Sequence, residues 1–280
     1  MANTIPTMQD LLSAGVHFGH KASRAHPKME EFIYGAREGV DIIDLAKSEE
    51  KLQAATDAAY DLGKTGKTLL IVGTKKQARE IIEQLAKEVD TPYLSVRWVG
   101  GLLTNFDEIK KNFKRLNGLK EEQAKGELKR YTKKEQLLYS RKLAKYEAEL
   151  GGVANIEKIP DAMFIVDAVA DNTAIVEAQK MNLIILGLCD TNANPNWFSY
   201  PVPSNDDGIK AIKIMCETLI RSYGEGKKEA AKNVETAAKK AAEDEAAKVE
   251  ATLNEKVAEE TAVLEEVVEK KVLEESERKV

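Results

Sequence analysis

Side chains able to do chemistry gather in three places. His17, His20 and His26 are the only histidines of the chain and share one short window. Neutral imidazoles three residues apart can converge on a metal ion, and a distal carboxylate such as Asp190 could complete the set. With no neighbouring cysteine and no HExxH pattern, histidines packed beside Phe18 and Gly19 and bonded to backbone or RNA need fewer assumptions, so no metal site is assigned. Lys75 and Lys76 follow Gly73 and Thr74 at the expected start of a helix. The helix dipole disfavours cations there by about a few tenths of a kcal/mol, so either a phosphate lies at that helix end or both lysines extend into water. Asp167, Asp190, Thr191, Asn192, Asn205, Asp206 and Asp207 follow apolar runs, at the strand ends where α/β folds bind ligands. They show neither a Ser-His-Asp order nor a nucleophile elbow, and turn and helix-start roles account for them, so no catalytic residue is assigned.

These residues need elements to hold them. Thr7 with Asp10 makes a capping-box pattern, Met8, Leu11 and Leu12 share a helical face, and Gly15 suits the position after a helix, so a short amphipathic helix opens the chain. Residues 32–34 and 40–43 predict a small hairpin around Gly35 and Gly39. A helix over 48–62, with Leu52, Ala55, Ala59 and Leu62 at helical spacing, precedes a continuous apolar run at 68–72, a strand buried on both faces. Ala78, Ile81, Ile82 and Leu85 mark the inner face of the next helix, and 93–96 the next strand. Runs at 163–166, 183–188 and 200–202 complete five strands. They are separated by a helix over 173–180 and followed by one, capped by Ser204 and Asp207, that turns Ile209, Ile212, Cys216, Leu219 and Tyr223 inward. Strands alternating with helices predict an α/β fold, a doubly wound parallel five-stranded sheet with helices on both faces.

One insertion interrupts this pattern. At Arg97 to Phe106 the pair Gly100 and Gly101 permits tight turning, while Thr104 and Asn105 offer N-cap oxygens. Phe106, Ile109, Phe113 and Leu116, answered by Tyr139, Leu143, Tyr146 and Leu150, predict an inserted antiparallel coiled-coil hairpin whose second arm opens on a Thr132/Glu135 capping box. The expected organisation is a core of 1–103 and 151–226, a coiled-coil insertion of 104–150, and an Ala/Glu/Lys tail of 227–280, helical or disordered.

The formal charge of -5 speaks against a nucleic-acid binder only on average. The tail from Lys227 carries 11 basic and 15 acidic residues, whereas Asp107 to Leu150 carries 13 basic and 8 acidic ones. Between Asp10 and Glu30 there is no acidic residue, yet Lys21, Arg24 and Lys28 lie there. Lysines set outside an apolar seam, Lys110, Lys111, Lys114 and Arg115 on the first arm, Lys129, Arg130, Lys133 and Lys134 around the tip, and Arg141, Lys142 and Lys145 on the second, present cations along a rod, a geometry suited to phosphate or to a protein partner. The cysteines Cys189 and Cys216 form no CxxC pair, and no GxGxxG or P-loop pattern occurs. Nothing resembles a secretory leader or a membrane span, so a cytoplasmic location is expected.

Several stretches together resemble one family: Gly15-Val-His-Phe-Gly-His20, His26-Pro-Lys-Met29, Ile42-Ile-Asp-Leu45, Val72-Gly-Thr-Lys-Lys-Gln-Ala78, Arg97-Trp-Val-Gly-Gly-Leu-Leu-Thr-Asn-Phe106, Pro160-Asp-Ala-Met-Phe-Ile-Val-Asp167 and Asn205-Asp-Asp207. They are similar to the bacterial small-subunit ribosomal protein two (S-two) family, in order from about Met8 to Tyr223. The resemblance implies a flavodoxin-like core with a coiled-coil insertion and a structural, non-enzymatic role in translation without a cofactor. It further implies partners in small-subunit rRNA and neighbouring ribosomal proteins, including the mRNA-binding protein S-one, with no membrane and no homo-oligomer. Charge and position make Lys21, Arg24, Lys28, Lys75, Lys76, Arg97, Lys110, Lys111, Lys114, Arg115, Lys133 and Lys134 the expected RNA contacts. One departure stands out: where the family usually carries a Pro-Arg-Lys-like segment after the equivalent of Asp167, this chain has Ala168-Val-Ala-Asp171.

Overall fold

The structure, a computed structural model, describes residues 5–126, 132–233 and 236. Expectations for Lys129, Arg130 and the tail beyond 236 lie outside the described residues. Two compact units divide the chain at 230, and every element below is described within the first, residues 1–230. No helix among the described residues is long and apolar enough to cross a membrane.

Residues that alternate faces of a strand and are apolar throughout can only be buried twice over. The runs LLIV and AMFI do this as β4 (Leu69–Val72) and β6 (Ala162–Ile165), buried at every position. With β5 (Tyr93–Leu94), β7 (Ile184–Cys189) and β8 (Tyr200–Pro203) they form a five-stranded, wholly parallel sheet of order β5-β4-β6-β7-β8. Numbered within the sheet this is 2-1-3-4-5, the flavodoxin-like order, with its switch point between β4 and β6. Leu69, Ile71, Ala162, Phe164, Leu186 and Leu188 face α1 (Met8–Ala14), α2 (Leu45–Lys64), α3 (Lys76–Val89) and α7 (209–230). Leu70, Val72, Met163, Ile165 and Ile185 face α6 (Asn172–Lys180), the 98–105 loop and α4 (Phe106–Ala124). Both edges are protected. Pro201 and Pro203 lie on the edge strand β8, and a Cβ on Gly152 would stand 2.3 Å from the Tyr93 carbonyl, so the chain crosses hard against β5.

The predicted hairpin is present as β2 (Ile33–Arg37) and β3 (Val40–Ile43), turned through left-handed Glu38 and Gly39. A third strand, β1 (Phe18–Lys21), pairs with β3 and makes an antiparallel sheet. It lies over the end of β7: the His20 amide donates to Thr191 Oγ1 at 2.9 Å, the His26 amide to the Thr191 carbonyl at 2.7 Å, and a Cβ at Gly19 would stand 2.5 Å from the Thr191 methyl.

Both capping boxes are formed, at α1 by Thr7 and Asp10 and at α5 (Lys133–Leu150) by Thr132 and Glu135. Helix α2 starts earlier than its apolar spacing suggests because Asp44 accepts the Ala46 amide. Three expectations are corrected. Asn105 holds the N-cap position of α4 without a side-chain bond, and the Thr104 hydroxyl instead donates to Glu177, a buried carboxylate that outcompetes the helix end. Ser204 does not cap α7; its amide is drawn to the Cys189 carbonyl, and Asn205 Oδ1 accepts the Asp207 and Gly208 amides at 2.8 and 3.0 Å. Ile209, the first residue of α7, is exposed, whereas Ile212, Cys216, Leu219 and Tyr223 are buried.

Helices α4 and α5 pack through Phe113, Leu116 and Leu143, and Lys120 meets Glu147 at 2.8 Å. At their base the 98–105 loop turns through Gly101 at φ 85°. Replacing Gly101 by Val puts a β-branched residue in the left-handed region, a cost of about 1–3 kcal/mol. Thermal unfolding should show a fall of several degrees, while Gly100→Ala, whose Cβ would enter open space, should melt close to the parent. Equal melting of the two variants would remove the strain argument.

A second prediction concerns Asp171, which accepts the Thr74 hydroxyl at 3.1 Å and so ties the turn after β4 to the start of α6. Burial pushes its carboxyl up to about 6, with the Asp167 charge adding to the shift and the Thr74 bonds opposing it. A carboxyl raised above its unfolded value lends stability at low pH and loses it as pH rises through the folded value. Urea midpoints should therefore decline between about pH 4 and pH 6, and Asp171→Asn should flatten that decline; an unaltered profile in the variant would assign the slope to other groups.

Candidate functional site

The loops following β4, β6, β7 and β8 converge at the switch point, where this fold class usually holds ligands. Here they converge on a lysine. Lys75 Nζ lies 2.7 Å from Asp206 Oδ1, 2.7 Å from Asp207 Oδ1 and 3.4 Å from Asp167 Oδ2, with its side chain only 17% exposed. Burial alone would depress the ammonium's pKa, but hydrogen bonds to Asp206 and Asp207 and the charges of Asp206 and Asp167 hold it above the usual lysine range. An amine held that firmly protonated is neither a general base nor a nucleophile. Asp206 is pushed up to about 7 by burial first, then by the Asp190 and Asp167 charges, with Lys75 pulling the other way.

The small sheet reaches into the same cluster. His20 Nδ1 lies 3.1 Å from Asp190 Oδ1 and Nε2 lies 3.4 Å from Asp207 Oδ2. Its hydrogen bond to Asp190 raises the imidazole pKa, against the opposing effect of burial, with the charges of Asp190, Asp206 and Asp207 adding to the rise. Asp190 Oδ2 also accepts the Asp206 amide at 3.2 Å. His20, Asp190 and Asp206 are the triad of metal-capable groups found among the described residues, with donor atoms within 4.8 Å of one another. His17 and His26 do not join it: His26 Nδ1 accepts the Lys28 amide at the head of a 3-10 turn, and the His17 ring lies tilted against Phe18, centroids 4.0 Å apart. The turn role expected of Asp167 holds, since its Oδ1 accepts the Val169 and Ala170 amides.

The other predicted cations lie elsewhere. Lys21, Arg24 and Lys28 are exposed together on β1 and the 3-10 turns after it, and Lys76 is exposed one residue beyond the cluster. Lys75 differs from them: the carboxylates of Asp167, Asp206 and Asp207 hold its ammonium, and its side chain is largely buried. Arg97 is exposed and meets Glu149 at 3.0 Å, pinning the end of the β5 loop to α5. On α4, Lys110 donates to the Glu157 carbonyl and Lys111 to Glu108, while Lys114 and Arg115 are exposed, as are Lys133 and Lys134 at the start of α5.

Sequence reasoning missed Glu177. It sits among Ala174, Ile175 and Ala178 on the inward face of α6, 6% exposed, and accepts the Trp98 indole N–H at 3.0 Å and the Gly101 amide at 2.8 Å through Oε1. Through Oε2 it accepts the Leu103 amide at 3.1 Å and the Thr104 amide and hydroxyl at 3.3 and 3.2 Å. Burial would raise its pKa, but these bonds outweigh it and hold the carboxyl below its usual value. The available signal was an acidic residue at an otherwise apolar inward position.

Residues 11–226 match the model of the family described as ribosomal protein S2. The chain is similar to small ribosomal subunit protein uS2 of Wolinella succinogenes, 42% identical over 79% of this chain and 82% of that one. The uS2 proteins of a Nitratiruptor species and of Helicobacter hepaticus are 43% and 40% identical, over 79% and 80% of this chain and 83% and 84% of theirs. A match of this extent, running through both sheets, the 98–105 loop and α4–α5, shows that the chain belongs to the ribosomal protein S2 family.

Proposed function

We propose that this chain is a structural constituent of the small subunit of the cytoplasmic ribosome, holding rRNA and neighbouring ribosomal proteins. The observation that carries the reading is its similarity, over about four fifths of both chains, to relatives named small ribosomal subunit proteins. The geometry agrees with a protein that works through its outer surfaces. The crevice where an α/β enzyme would bind substrate is filled by Lys75 and its carboxylates, while exposed cations stand on the 21–28 segment, on α4 and at the start of α5. Phosphate recognition needs such cations on a shaped surface. RNA contact is assigned to Lys21, Arg24, Lys28, Lys76, Arg97, Lys110, Lys111, Lys114, Arg115, Lys133 and Lys134. Protein neighbours, the mRNA-binding protein S-one among them, are assigned to apolar surface: Met8 and Leu12 share the outer face of α1, and Phe18 stands beside Gly15 at that helix's end, all exposed.

Tagged protein in a lysate at low salt should sediment with small subunits; sedimentation as free protein would sink the reading. Replacing Lys111, Lys114 and Arg115 together by Glu should weaken retention most at low salt and flatten its salt dependence by on the order of one unit of log-log slope per lost phosphate contact. Retention unchanged at every salt concentration would leave α4 as a protein-contact surface only. Lys75→Met should act differently. It abandons buried carboxylates at a cost of about 3 kcal/mol or more, seen as a lowered melting temperature, while the salt slope of the folded fraction stays that of the parent. A reduced slope with unaltered melting would return Lys75 to the RNA surface.

A further inference from the structure

The 98–105 loop has an unusual way of satisfying its backbone. Within a sheet or helix, amides donate to carbonyls of the same element; here the amides of Gly101, Leu103 and Thr104, with the Trp98 indole, all donate to the two oxygens of Glu177. Buried backbone N–H groups without an acceptor are costly, so this loop has its present shape only while that carboxylate is in place. Glu177 is itself immobilised. It belongs to α6, whose Ala174, Ile175 and Ala178 are packed in the same core as the sheet residues Leu70, Met163 and Ile165. The loop leads directly into α4, whose first residue is Phe106.

We propose that Glu177 is the positioning residue of the α4–α5 arm: by fastening the 98–104 loop to α6, its carboxylate sets the direction in which the arm leaves the sheet. Helix α4 has 19 residues and is therefore about 28 Å long, so a rotation of about 10° at its base displaces the far end by about 5 Å, more than a phosphate contact tolerates. Other contacts at the base include Gly152, seated against Tyr93 where the chain leaves α5. Lys110 bonds the Glu157 carbonyl and Arg97 bonds Glu149, both at exposed positions, and Phe106 and Ile109 supply apolar packing that tolerates sliding. Hydrogen bonds from three amides to one carboxylate are directional and do not slide. That arm direction matters for assembly rests on the RNA-contact reading above; that Glu177 sets it does not.

The test is a distance measurement on the free protein. Spin labels at Gly118→Cys, where a side chain would enter open space, and at Lys210→Cys, exposed on α7, report arm against core, while the native Cys189 and Cys216 are buried from the reagent. In the parent the distance distribution should be narrow. Glu177→Gln keeps the shape but loses the charge and turns amide hydrogens toward N–H donors, so the distribution should broaden or shift by about 5 Å well below the melting temperature. A distribution identical to the parent's, with only a lower melting temperature, would overturn the proposal and leave Glu177 as a stabilising group. Should Glu177→Gln fail to fold, Glu177→Asp keeps the charge but withdraws the carboxylate by one methylene from the Gly101, Leu103 and Thr104 amides. Partial broadening is then expected, and an unchanged distribution overturns the proposal. Retention on small subunits is measured separately: a broadened arm with full retention would keep Glu177 as the positioning residue and reject the arm as an RNA contact.

Discussion

Four carboxylates held within reach of one another cannot all stay ionised without a cation, and Lys75 is that cation. Asp167, Asp190, Asp206 and Asp207 are carried to one end of the sheet by three different strands, and the ammonium meets three of them directly. Removing it would leave charge repulsion in a half-dry site where Coulomb terms are several times their value in water. Because Asp167 follows β6 while Asp206 and Asp207 follow β8, a single side chain fixes the mutual heights of the loops after β4, β6 and β8. His20, bridging Asp190 and Asp207, adds the small antiparallel sheet to the same lock.

That arrangement decides how the fold is used. An open parallel sheet of this order offers a crevice at the switch point, and the crevice is the fold's standard ligand site. Here the groups lining it satisfy one another, and the small sheet lies across it with Gly19 against Thr191 so closely that no side chain fits. Exposed cations stand elsewhere, on the 21–28 segment and on the paired helices α4 and α5, the surfaces to which the proposed function assigns RNA. Fold alone does not choose between enzyme and scaffold. The filled crevice and the cation-bearing arm favour the scaffold.

The parallel sheet was legible because its strands are short, wholly apolar and separated by helix-period segments, a pattern with few alternative packings. The start of α5 and the opening of α1 were legible because a capping box is a local device, complete within four residues. What escaped was long-range. Thr104 looked like a cap because its hydroxyl was free in the local sequence; the group that claims it, Glu177, is 73 positions away. Lys75 looked like a phosphate ligand for the same reason, its carboxylates lying 92 to 132 positions downstream, Asp167 nearest in sequence and Asp207 farthest. β1 was hidden because Phe18-Gly-His-Lys21 has neither an apolar run nor a clean in-and-out alternation, and it becomes a strand only by pairing with β3.

The α4–α5 arm shows the same contrast between local and borrowed stability. Phe106, Ile109, Phe113 and Leu116 are buried in the first three turns of α4, and Leu143 and Leu150 in the second half of α5. Leu119 and Tyr146 are partly buried against the same cluster, while Leu137 and Leu138 are exposed and the cations Lys133, Lys134, Arg141 and Lys142 stand in solvent. A helix pair gains most of its stability from its buried face, and one with a charged, unburied outer half is stabilised there by whatever neutralises and covers it. Condensed cations on a rod bind a polyanion with release of the polyanion's counterions, a gain that grows with each phosphate met. The inner half of the helix pair is thus held by the protein, and on the proposed reading the outer half is completed by RNA, which makes the angle at its base the quantity the core has to control.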